Sequence, residues 1–279
     1  MKNYLALVSA LLFLVAAESQ AQVNLKMSME RETYLLYESF PVRVDIENVG
    51  DQQISLKNNA DNSSDWISFL IYRADGTKVR SEKAISINPV TIEPGAKTSV
   101  LVDLTPVYAL RDTGQYKIKA VLSVPGLKPF VTDALVISIG KGESIWSETR
   151  MESGIKRVAT LIKFLSRNET TLYARIEEPS TNTIYTTQKL GRFTDFTKPV
   201  AKMDATGSLH VVHTLSGQTY RYSVVSAEGT LTKQEDRLIE GARPQLIATS
   251  EGGLNFFGGT VAEEKKERAK LSQGQQGGM

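Results

Sequence analysis

"KPVAKMDATGSLHVVHTLSGQTYRYSVVSAEGTL", Lys198 to Leu231, is the stretch on which the reading of this chain turns. It holds both histidines, His210 and His213, three residues apart. Side chains on a strand alternate between its two faces. His213 therefore falls with Leu209 and Val211, and His210 with Val212, on opposite sides. Two histidines so placed cannot share a metal ion without a bulge or turn between them. A zinc site would need further protein ligands, and the chain has no third His, no Cys, and no carboxylates at ligand spacing. No metal and no other cofactor is expected. Asp204 and Gly207 form an Asp-x-x-Gly hairpin link. His210 is kept as a candidate ligand contact, with Tyr220 and Tyr222, whose rings share one face of the next strand and can hold sugar or peptide. Packing is the simpler role for those two rings.

The stretch also repeats. "TTLYARIEEPSTNTIYTTQKLGRF", "GSLHVVHTLSGQTYRYSVVSAEGTL" and "GGLNFFGGTV" align on Leu172, Leu209 and Leu254, which stand 37 and 45 residues apart. Each leucine is read as opening a short strand after a turn. Another strand precedes each: "VATLIKFL", "KPVAKMD" and "RPQLIAT". A repeat near 40 residues with up to four short strands has the period of a propeller blade. "KPVAKMDATGSLHVVHT" resembles blades of bacterial propellers of the sialidase-like and related types, in which proline, an Asp-x-x-Gly turn and a Leu-x-Val strand recur. A closed ring usually needs four or more blades, and residues 141–262 supply two full repeats and part of a third. The expectation is a second antiparallel β domain with two to three blade-like repeats. Three arrangements stay open: sheets stacked on the first domain, a ring completed by other subunits, or an ordinary β domain.

Residues 22–140 have a period of two. In "PVRVDIEN" Val42, Val44 and Ile46 face one way and Arg43, Asp45 and Glu47 the other, a half-buried strand. "TSVLVDL" and "QYKIKAVLSV" alternate likewise. Turns fall at Asp75-Gly76 and at "EPGAK". Strands about ten residues apart with turns between them suggest an antiparallel sandwich. Asp112-x-Gly114-x-Tyr116 resembles the tyrosine-corner segment of immunoglobulin-like domains. Ile118 stands where antibody-type domains carry cysteine, so the likeness is to disulfide-free bacterial Ig-like modules. "MERETYLLYESFPVRVDIENVG", Met29 to Gly50, is similar to the opening strands of such modules and of macroglobulin-type domains. The resemblance implies an Ig-like β-sandwich serving as a spacer or a protein-binding surface, and the fold class expected for the whole chain is all-β.

The ends read differently. Lys2, the 14-residue apolar run Tyr4–Ala17, and small residues at Ser19 and Ala21 form a secretory signal pattern over residues 1–21. The run is short of the ~20 residues that span a bilayer, so no membrane span is expected after cleavage. Residues 263–279 alternate charge and then turn to Gly and Gln, a tail too poor in apolar residues to pack. Absence of cysteine in an exported chain of 279 residues points to a bacterial, secreted or periplasmic protein. A net charge of +2 gives no electrostatic reason to expect nucleic acid.

Catalytic patterns are missing. Glu177-Glu178 precede a proline as a solvated turn rather than flank a cleft. No Gly-x-Ser-x-Gly elbow or phosphate loop occurs, and "GKGESIW" (Gly140–Trp146) leads into a linker. The expectation is a non-enzymatic exported module that binds an envelope or extracellular protein or associates with itself. The alternatives are a carbohydrate-binding or carbohydrate-active accessory protein and a protease-inhibitor-like module.

Overall fold

The computed structural model describes residues 23–57, 66–152, 154–167, 169–185, 187–239, 244–250 and 252–261. The expected leader and tail lie outside them. The described residues form strands and no helix. In chain order the strands are β1 (Val23–Met29), β2 (Thr33–Leu35), β3 (Pro41–Asn48), β4 (Ile54–Leu56), β5 (Ile67–Arg73), β6 (Val90–Ile92), β7 (Lys97–Asp103), β8 (Gly114–Leu122), β9 (Phe130–Val131), β10 (Leu135–Gly140) and β11 (Glu143–Glu152). There follow β12 (Ile155–Ser166), β13 (Glu169–Glu178), β14 (Thr183–Ile184), β15 (Gln188–Arg192), β16 (Val200–Met203), β17 (Leu209–Ser216), β18 (Thr219–Val225), β19 (Leu231–Leu238), β20 (Gln245–Ala248), β21 (Leu254–Phe257) and β22 (Thr260–Val261).

They divide into two compact units. The first takes residues 23–30, Pro41–Ala109 and Tyr116–Val136. Its three-stranded sheet runs β1-β3-β7, antiparallel throughout. Val44 sits opposite Met27 on one side and Val100 on the other. Val42, Val44 and Ile46 are buried, while Arg43 between them is exposed. Burying one such side chain is worth about 1.5–3 kcal/mol. A one-residue slip turns three of them to water, a loss on the order of 5 kcal/mol, so the period-two pattern dictates the register. β5 pairs antiparallel with β8, Ile71 against Ile118, and β9 extends β8. β4 and β6 form a separate pair. Tyr116 is buried at the start of β8. A second tyrosine, Tyr108, donates its hydroxyl to the Phe69 carbonyl and accepts from the Phe69 amide, both at 3.0 Å.

The second unit takes Arg31–Phe40, Leu110–Gln115 and residues 137–261. Two meanders dominate it. One runs β11-β12-β13-β14 with β15 also on β13; the other runs β16-β17-β18-β19-β22. Their sheets are arranged like propeller blades, with inner faces sharing one core. Ala159, Leu161, Leu172, Ala174, Ile176 and Leu190 come from the first, and Met203, Leu209, Val211 and Val225 from the second. Leu172 and Leu209, the aligned leucines, both point into this core. Leu209 and Leu254 open their strands, whereas Leu172 is the fourth residue of β13. The partial third repeat is the hairpin β20–β21. The stretch after Gly142, read as a linker, is strand β11, because Ile145 and Trp146 pack against the shared core.

Each meander's outer face is covered by a segment from elsewhere in the unit. Leu35 of β2, which pairs in parallel with β10, packs on Ile162, Phe164 and Tyr173. Leu246 and Phe256 of the hairpin pack on Val212, Tyr220 and Tyr222.

Candidate functional site

The Asp204 turn builds the site. β16 pairs Met203 with Leu209, so the chain reverses over Ala205–Ser208. Gly207, at φ +78°, takes the left-handed conformation that the reversal needs. Asp204 Oδ1 accepts from the Thr206 amide (2.9 Å), the Thr206 hydroxyl (2.7 Å) and the Ser208 amide (3.0 Å). Those three bonds orient the carboxylate and leave Oδ2 aimed at His210 Nε2, 3.0 Å away. On its other side His210 Nδ1 lies 2.7 Å from the Tyr222 hydroxyl. An ionised carboxylate only accepts, so Nε2 donates to Asp204, while at Nδ1 either the ring or the Tyr222 hydroxyl supplies the hydrogen according to the tautomer. The three side chains form one hydrogen-bonded chain: Tyr222, His210, Asp204.

All three residues are buried. Burial works to raise the Asp204 pKa, but the Thr206 hydroxyl, His210 and the Ser208 amide outweigh it and hold the carboxyl below its ordinary range. Burial, helped by the charges of Glu235 and Asp204, pushes the Tyr222 phenol up. Phe256 stacks on the Tyr222 ring, centroids 4.7 Å apart at 16°, and Arg237 covers Phe256 at 4.7 Å. The Ala205 amide bonds to Gly252 O at 2.8 Å, tying the turn to the hairpin.

Of the residues singled out from the sequence, the structure joins His210 to Tyr222 and sets Tyr220 beside them. Tyr220 is 1% exposed, its ring centroid 5.8 Å from that of Phe256. Its hydroxyl packs against Gly259, where a Cβ would overlap it and Leu238 O. That contact and a φ of +70° require glycine at 259. His213 lies on the other face, opposite Arg221 and 6.4 Å from Phe193. Burial above all, then the Arg221 charge, holds its pKa at about 4. The Arg192 backbone and Asp236 pull weakly the other way. Arg221 itself is clamped on Asp236 through two bonds of 2.6 and 2.8 Å.

Residue-type reasoning missed Asp204 as a partner of His210, and Phe256 altogether. The signal for Asp204 was present. A hairpin that sets Met203 against Leu209 places Lys202 opposite His210, and Asp204 two residues on shares their face. No group of three or more His, Asp or Glu able to hold a metal ion occurs among the described residues.

A second polar cluster sits on the outer face of the first meander. Glu38 takes Arg31 and the Tyr173 hydroxyl (3.1 Å) on Oε1 and the Leu35 amide (3.0 Å) on Oε2. Burial depresses the Arg31 pKa, but Glu38 and Tyr173 outweigh it and the net shift is upward. Arg175 donates to Leu36 O (2.6 Å) and to the Thr187 hydroxyl (2.9 Å).

No family model and no curated protein matches this chain. Among solved structures it is similar to the sporulation control protein Spo0M from Bacillus subtilis, at 11% identity and a TM-score of 0.28, over 59% of this chain and 83% of that one. It is also similar to the YadV chaperone, at 8% identity and a TM-score of 0.25, over 77% and 99% of the two chains. The E. coli chaperone DraB gives 8% and 0.23, over 76% and 96%.

Proposed function

We propose that this chain is an exported, non-catalytic protein-binding or structural module of the bacterial envelope or extracellular space, with an Ig-like sandwich in its first half. One observation carries the binding part. Phe196 is 93% exposed, on a loop that is firmly anchored. Thr194 N and Oγ1 both donate to Thr214 O, the Thr197 and Thr214 hydroxyls meet at 2.6 Å, and Lys163 holds Asp195 at 3.0 Å. A loop pinned at both shoulders presents its ring to water with little ordering left to lose on binding. Rigid aromatic anchors of this kind dominate protein interfaces. The buried state of His210, Tyr220 and Tyr222 weighs against carbohydrate, since that aromatic pair lies beneath Phe256. Export rests on the leader-like residues 1–21.

The test is capture of envelope proteins by immobilised residues 22–279, run beside Phe196→Ala. The expected result is a reproducible partner whose recovery falls by about tenfold or more with the variant. A folded bait that retains no protein, or one whose partner ignores position 196, overturns the reading.

A further inference from the structure

We propose that the outer face of the β5–β8 pair is a second docking surface, and that its occupant is an extended acidic segment of a partner protein. The register fixes what this face carries. Ile71 and Ile118 are buried opposite each other, so Tyr72 and Leu70 point outward, with Lys117 and Lys119 directly across from them. On the other side of β5, Lys78 faces Tyr72 through an isolated antiparallel bridge. One row across the face therefore reads Lys78, Tyr72, Lys117, a ring between two lysines. Lys119 stands two residues further along β8, ~6.8 Å away. Val121 comes next on the same line and faces Val131 of β9, which is 50% exposed.

The lysines set this face apart. Among the described residues no carboxylate lies within ion-pair distance of Lys78, Lys117 or Lys119. The β1-β3-β7 sheet of the same unit neutralises its outer charges from within: Asp45 holds Arg43 at 2.8 Å and Glu47 holds Lys97 at 3.0 Å. In a chain whose net charge is only +2, three unpaired cations on one face are a local concentration. Their mutual repulsion is unfavourable in the free protein and is relieved by an anionic partner. Spacing selects the form of that partner. Alternate side chains of an extended chain repeat every ~6.8 Å, the interval from Lys117 to Lys119 and again from Lys119 to Val121. A segment lying along β8 sets carboxylates at i and i+2 on the two lysines and an apolar side chain at i+4 on Val121 and Val131. A layer of lipid headgroups offers the charge without an apolar side chain at that interval. The inference rests on the reading of this chain as a protein-binding module and does not involve Phe196.

Fluorescence anisotropy with the full chain tests it. The probe is a labelled peptide of two Glu-Thr-Glu-Thr-Val-Thr repeats, run beside a scrambled peptide of the same composition and phosphatidylglycerol vesicles. The expected result is saturable binding of the probe that weakens with added salt and exceeds that of the scrambled peptide by about tenfold. Lys117→Glu and Lys119→Glu are each expected to weaken it by about tenfold or more. The variant carrying both changes should instead take the peptide with Lys in place of Glu, which an unfolded protein would not do. Phe196→Ala should bind the probe like wild type. A chain that captures its envelope partner through Phe196 yet ignores the probe overturns this inference alone. Equal binding of the scrambled peptide, lysine variants that bind like wild type, or binding of vesicles in place of the peptide overturns it too.

Discussion

The two meanders of the second unit solve one problem with different chemistry. Each buries its inner face in the shared core and must cover its outer face with a foreign segment. The first recruits Arg31–Phe40 and fastens it with charge: Arg31, Glu38, the Tyr173 hydroxyl and Arg175 on the Leu36 carbonyl. The second recruits the β20–β21 hairpin and fastens it with a ring stack over the Tyr222–His210–Asp204 chain. A charged latch is strong only while every partner stays in place, because a buried charge left alone is costly. A stacked latch loses area in proportion to what is removed. The two faces should therefore fail differently.

The charged latch should show the largest effect. Glu38→Gln keeps the shape and leaves the Arg31 guanidinium without its counter-ion. Breaking a buried pair this way costs about 3–5 kcal/mol. The Arg31 side chain is 23% exposed, which places the expected loss near the lower end, about 3 kcal/mol. Urea unfolding checks it; an unchanged midpoint would mean that the Arg31–Glu38 pair adds nothing to what Leu35 and Arg175 already hold.

Between the two latches lies the inner core, and His213 makes it acid-sensitive. The folded state holds His213 at a pKa of about 4, against an ordinary 6.5. Below pH 6.5 the unfolded chain takes up a proton that the folded chain refuses. Stability present above that pH falls away as pH drops toward 4, by about 3 kcal/mol in all. Denaturation at neutral pH and near pH 4.5 should show the decline in wild type and much less of it in His213→Leu. Equal slopes in the two proteins would remove His213 as the cause.

The stacked latch comes next. Phe256 is half-buried, so Phe256→Ala is expected to cost about 2 kcal/mol, below the 3–5 typical of a fully buried ring. Hydrogen exchange should locate the loss at β20 and β21 and leave the β17–β18 ladder protected. Uniform loss of protection would show that the hairpin and the meander unfold as one.

How much of this could be read from the chain alone follows from which contacts are local. Alternation along one strand already separates His210 from His213 and pairs Tyr220 with Tyr222, because face is a property of a single element. The two full repeats were legible for the same reason: each meander is made of neighbours in sequence. The covers were not. Leu35 and Tyr173 are far apart in the chain, and so are Leu36 and Arg175; no periodicity links them. Phe256 looked like part of a third blade, and only the packing shows that it roofs the second. Gly140–Trp146 read as leading into a linker because its two glycines hid the start of a ten-residue strand.

The smallest effect is the most diagnostic. Tyr222→Phe keeps the ring that stacks on Phe256 and deletes only the hydroxyl that meets His210 Nδ1 at 2.7 Å. One buried hydrogen bond lost, with its partner atom left unpaired, costs about 1–2 kcal/mol. Combined with Phe256→Ala, the two losses should add, because the hydroxyl and the ring face touch different groups. On the first meander the matching pair, Tyr173→Phe with Glu38→Gln, should not add: both changes act on the single oxygen Oε1 that also holds Arg31. Double-mutant cycles measure this directly, with coupling of about 0.5 kcal/mol or more expected in the charged cluster and close to none in the stacked one. Coupling of similar size on both faces would mean that the hairpin senses the histidine through the ring, and that the two latches share one design after all.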